Sequence, residues 1–158
     1  MRARAVAGCL AGCVGGLSGL SGCGPSEVEL PPPAAPDAAI VRLCGDLHGR
    51  LPATLHDQAR RRTRPASGLT VAWGAPAIAL RCGVPRPPTM RQTSQLVTVN
   101  GIAWFPQPPA RPVTFTAVGR RAYVEVTVPA RYAPQGDVLV ELTPAIKAAL
   151  PAKPGGGL

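Results

Sequence analysis

The sequence predicts an α+β fold: an antiparallel β-sheet of about five or six strands, in two or three hairpins, with an N-terminal amphipathic helix and a short C-terminal helix packed on it. Three observations predict it. Apolar residues recur at helical spacing near the start of the domain, at Ile40, Leu43, Cys44, Leu47 and Leu51. From Leu69 onward, short apolar or alternating runs are separated by turn residues, as strands are. Asn100-Gly101, between apolar runs at 96–99 and 102–105, is the strongest short-range hairpin signal in the chain.

Residues 1–22 read as a removable leader. Arg2 and Arg4 supply a positive start, and residues 5–19 a mildly apolar run too short and too rich in glycine for a good membrane span. The leader closes on Leu20-Ser21-Gly22-Cys23, which resembles a bacterial lipobox, where the chain is cut before a cysteine whose thiol is acylated. Leu10-Ala11-Gly12-Cys13 has a similar form but leaves an apolar core shorter than the ~7–15 residues usual for a leader, so Cys23 is preferred. An ordinary secreted protein with an incidental Cys23 is the alternative. Residues 23–36 then form an acylated cysteine and a proline-rich tether, expected to be extended and to hold the domain off the membrane.

A single domain is expected over residues 37–150. Asp37 is placed to cap the first helix, which Pro52 ends or kinks, with a short further turn carrying Leu55. The run Arg60-Arg61-Arg62-Thr63-Arg64, before Pro65, reads as a basic loop. Strands are expected at 69–73 and 77–82, around Gly74-Ala75-Pro76. A two-residue turn at Asn100-Gly101 pairs Val99 with Ile102 and Val97 with Trp104. A second hairpin joins 113–118 to 122–128 around Gly119-Arg120. It puts Val113, Phe115, Ala117, Ala122, Val124 and Val126 on one face, and Thr114, Thr116, Tyr123, Glu125 and Thr127 on the other. Residues 138–142 fit either strand or helix. Thr143-Pro144 reads as a cap and first helical residue, opening a short helix through Leu150, and residues 151–158 read as a disordered tail.

Composition narrows the partners. Loss of Arg2 and Arg4 with the leader takes 17 basic residues to 15, against 8 acidic ones, a net charge of +7. Outside the cytoplasm such a chain meets anionic lipid headgroups or acidic wall polymers. Nucleic acid is not expected, because six aromatic residues offer few stacking platforms.

Several sequence blocks together resemble the actinobacterial domain-of-unknown-function family 3515. They are Trp73-Gly74-Ala75-Pro76-Ala77-Ile78, Leu80-Arg81-Cys82-Gly83-Val84-Pro85, Thr93-Ser94-Gln95-Leu96-Val97, Val99-Asn100-Gly101-Ile102-Ala103-Trp104 and the segment from Ala122 through Pro129. The resemblance covers roughly residues 40–150. It implies a small exported or membrane-associated protein and provides no activity or catalytic residues.

With Cys9 and Cys13 removed and Cys23 acylated, Cys44 and Cys82 are the remaining thiols, and an oxidising exterior favours a disulfide between them. Two buried free thiols are the alternative. Gly45-Asp46-Leu47-His48-Gly49 matches the first block of calcineurin-like metallophosphoesterases, but the further histidines and the Gly-Asn-His block such sites need do not occur. His48, His56, Asp46 and Asp57 are poorly spaced for a shared metal. Ser67 and Ser94 lie in no nucleophile motif, and nothing places Glu125 and Glu141 together as an acid/base pair. No catalytic residue, metal or cofactor is therefore expected. Arg60, Arg61, Arg62 and Arg64 are the candidate anionic contact, with Arg120 and Arg121 as a possible addition. The expected role is a lipid-anchored protein on the outer face of the cytoplasmic membrane that binds an envelope protein, anionic lipid or wall polymer. A cell-envelope hydrolase with an unrecognised site and a structural spacer are the alternatives.

Overall fold

The computed structural model describes residues 27–34, 36–111 and 113–154. Within them is a mixed α+β domain with two helices and nine strands, a larger sheet than the five or six strands expected.

Helix α1 (Ala38–Arg50) follows from its ends and its stripe. The Asp37 carboxylate accepts the Ile40 N–H at 2.8 Å, Cys44 and Leu47 are buried, and Pro52 stands just past the C-terminal end. The segment beyond Pro52 is not a helical turn but strand β2 (Thr54–Leu55), whose Leu55 is fully buried. His56 and Asp57, with φ of 47° and 58°, make the two-residue turn into β3 (Gln58–Arg64).

Strand β3 is the arginine run that reads as a loop in the sequence. It lacks the apolar alternation that marks a strand, yet its backbone is paired on both sides. Arg60 and Arg61 lie opposite Trp73 and Ala72 of β4 (Thr70–Trp73). Its other side takes β2 and then β1 (Glu27–Glu29), which runs parallel to it. The guanidinium groups of Arg60, Arg61 and Arg64 find partners and Arg62 stays exposed to solvent, so charge is no bar to the sheet here. The stretch expected as a stand-off tether is thus folded onto the domain as far as Glu27: the Leu30 N–H donates to the Arg64 carbonyl at 2.8 Å and Pro33 is buried.

From β4 the chain turns into β5 (Ile78–Val84), then leaves for the far edge of the sheet. There β6 (Val97–Val99) and β7 (Ile102–Gln107) form the Asn100-Gly101 hairpin in the expected register, Val99 opposite Ile102 and Val97 opposite Trp104. Asn100 and Gly101 have φ of 46° and 76°, as this turn requires. Strands β8 (Thr114–Val118) and β9 (Tyr123–Thr127) return inward, and β9 completes the sheet against β5. The order is β1-β3-β4-β5-β9-β8-β7-β6, with β2 beside β3.

Helix α2 (Gln135–Ala149) begins eight residues before the Thr143-Pro144 pair expected to open it. Residues 138–142 are helical. Val138, Leu139, Leu142, Ile146 and Ala149 form its buried stripe, and that packing outweighs the hydrogen bond Pro144 cannot donate. Residues 151–154, expected as the start of a disordered tail, lie along the β8–β9 turn. There the Arg121 N–H donates to the Pro151 carbonyl and the Lys153 N–H to that of Gly119. Both helices pack on the inner face of the sheet around Trp73, Leu80, Trp104 and Val126. On the outer face a smaller cluster of Met90, Phe105 and Val118 pins down the connection from β5 to β6.

Candidate functional site

Cys44 of α1 and Cys82 of β5 form a disulfide, with Cα atoms 5.6 Å apart and both residues buried. The apolar stripe of α1 turns Cys44 inward, and the pleat of β5 turns Cys82 toward the same core, so the cystine ties helix to sheet. Cys23 and the leader lie outside the described residues.

The arginines of β3 do not form one patch. The Arg60 guanidinium donates to His48 Nε2 at 2.8 Å and reaches the His48 carbonyl at 3.5 Å, while Arg61 donates to the Gly74 carbonyl at 3.0 Å. Arg64 is paired with Glu27, and Arg62 is exposed. Burial lowers the pKa of Arg60; burial, and next the charge of Arg60, lower that of His48. Both shifts fit an imidazole whose Nε2 is a bare acceptor. Of the hairpin pair, Arg120 caps the end of α2 through the Leu150 carbonyl at 3.1 Å.

The remaining candidates are dispersed. Asp46 pairs with Arg50 along α1 at 3.0 Å, away from the His48–Arg60 contact. The hydroxyls of Ser67 and Ser94 accept nearby backbone N–H groups, from Leu69 and Arg91, and so shape turns. No group of three or more His, Cys, Asp and Glu side chains able to hold a metal occurs among the described residues.

Two pairings join residues too distant in sequence to be linked by pattern. Glu141 of α2 reaches the β2–β3 turn, accepting the His56 N–H at 3.0 Å and standing 3.6 Å from His56 Nδ1. The Tyr132 ring meets that imidazole edge-on, with centroids 6.0 Å apart. On the outer face Arg81 donates two hydrogen bonds, at 2.9 and 2.7 Å, to one oxygen of Glu125. Glu125 faces outward from its strand as expected; its partner was hidden because nothing local signals that β5 pairs with β9.

That second pair floors a groove of about 740 Å³. Its walls are a proline strap of Pro32, Pro33, Ala34 and Pro36 and the connection Pro85–Pro88, and Tyr123 and Gln107 continue its floor. Gly83, at a β-bulge with φ of 84°, lets the strap and the start of α1 sit close: a Cβ there would meet Pro36 at 3.3 Å and Ile40 at 3.1 Å. At one side Lys153 donates to the Tyr123 hydroxyl at 3.2 Å and lies 4.6 Å from its ring centroid. Gln107, bonded to the Thr89 hydroxyl at 3.0 Å, divides this groove from a pocket of about 840 Å³ beside Leu96, Val97 and Phe105. Charge-paired floor and proline walls suit non-covalent binding of an extended or flat ligand.

Fold and site define a disulfide-clamped α+β domain built on one large sheet, with ligand-sized concavities on the outer face. No helix among the described residues is long and apolar enough to cross a membrane. The chain belongs to the family described as Protein of unknown function (DUF3515), whose pattern matches residues 4–155. No curated protein and no solved structure matches it significantly.

Proposed function

We propose that this is an exported lipoprotein, acylated at Cys23 and held on the outer face of the cytoplasmic membrane, whose domain binds an envelope protein or an acidic envelope component without catalysis. The Cys44–Cys82 disulfide carries the reading, because structural disulfides persist in oxidising compartments and are rare in the cytosol. The lipobox-like Leu20-Ser21-Gly22-Cys23, the basic balance of the chain and the outer-face groove support it further. Fractionation of cells expressing the whole chain tests it. The wild-type protein partitions with membranes and resists extraction by salt, and Cys23→Ala moves to the soluble or secreted fraction. A Cys23→Ala protein that stays membrane-bound contradicts the anchor.

A hydrolase is the second reading, and the His56–Glu141 contact favours it: a carboxylate orients an imidazole 29% exposed to solvent. Turnover of a wall or lipid substrate that His56→Ala abolishes would replace the binding role with an enzymatic one.

A further inference from the structure

The first strand converts a lipid anchor into an orientation. Glu27, Val28 and Glu29 lie in parallel register with Arg62, Thr63 and Arg64, and the Glu27 carboxylate pairs with the Arg64 guanidinium. The folded domain therefore begins by residue 27, and only Gly24, Pro25 and Ser26 separate it from Cys23. Four extended residue steps span at most about 14 Å. A domain of this length has a radius of gyration of about 14 Å, so so short a leash holds it against its anchoring surface.

The edge nearest the anchor is β1 with β3. Arg62, the neighbour of Glu27 in the ladder, is exposed and makes no hydrogen bond or ion pair among the described residues. The Arg64 side chain is 68% exposed, and its pairing with Glu27 offsets the nearer carboxylate; Glu29 is the other acidic group on this edge. Beside the point of entry lies a concavity of about 380 Å³ lined by Glu27, His48, Arg62 and Ser67.

We propose that the anchored domain stands on its β1–β3 edge against the membrane, with Arg62 and Arg64 among anionic phospholipid headgroups. This rests on acylation of Cys23, as proposed above. The sheet order places β6 seven strand spacings away, roughly 34 Å, so Val97 on that edge faces away from the lipid.

A photocrosslinking amino acid in place of Arg62, or of Val97, in the full chain tests this in membranes of a host that lipidates it. Both positions are solvent-exposed, and intact mass reports both the lipid and the disulfide of each variant. Phospholipid adducts at position 62 exceed those at position 97 several-fold. A flexible Gly/Ser spacer of about 20 residues between Ser26 and Glu27 removes most of that difference. Equal labelling in fully lipidated protein, or a difference that survives the spacer, overturns the orientation alone. A mass without lipid removes the anchor and the orientation with it.

Discussion

Replacing both Cys44 and Cys82 by alanine is the perturbation whose size follows most directly from the fold. The two residues are separated by 38 positions, so the cystine closes a loop of about 39 residues. Chain entropy then gives roughly 13 cal/mol/K of lost freedom in the unfolded state, or about 4 kcal/mol at 25 °C. That is on the order of a thousandfold in the folding equilibrium. The loss is large for a domain with few aromatics, because the cystine is also the covalent tie between α1 and the centre of the sheet. With a urea m-value of about 2 kcal/mol/M, the unfolding midpoint should fall by about 2 M. Urea titration followed by far-UV circular dichroism measures it, with and without reductant. The wild-type midpoint should drop on reduction and that of the double-alanine variant should not. A double-alanine midpoint within about 0.5 M of the oxidised wild type would refute the reasoning.

The other predictions concern the two helices. Asp37→Ala removes the acceptor for the Ile40 N–H and should cost about 1 kcal/mol in urea titration, whereas Asp37→Asn should retain most of it. Pro144→Ala restores a backbone donor at an exposed position inside α2 and should raise stability by about 1–3 kcal/mol; a loss would mean that the proline ring is needed for packing. His48 is held below its ordinary pKa of 6.5 by burial and, next, by Arg60. The unfolded chain takes up that proton more readily, so the stability due to neutral His48 is complete above about pH 6.5 and declines as pH falls toward the folded value. Between about pH 7.5 and about pH 5, His48→Gln should therefore lose less stability than wild type, and an unchanged slope would remove His48 as the cause.

What could be read from the sequence was set by whether the determining interaction is local. Asn100-Gly101 specified its hairpin and register, because the turn needs positive φ at two successive residues and few pairs accept it. The alternation through Phe115, Ala117, Val124 and Val126 found a buried face for the same reason. Strand β3 was illegible: its arginines mimic a solvated loop, and what makes them a strand is pairing with β1, β2 and β4. Thr143-Pro144 misled by a real preference, that of proline for a helix start, which the buried stripe from Val138 to Ala149 overrode. At the candidate sites, Cys44 and Cys82 could be paired by counting thiols once a compartment was assumed. His56 with Glu141, 85 residues apart, and Arg81 with Glu125, 44 apart, could not be joined before the strands and helices were placed.

Intact-mass analysis of the protein from its own membranes, after alkylation without reductant, tests the account most directly. The account predicts a chain beginning at Cys23, heavier by its acyl groups, with Cys44 and Cys82 unmodified by the alkylating agent. A chain that begins elsewhere without lipid, or that takes up alkyl groups at both cysteines, contradicts it.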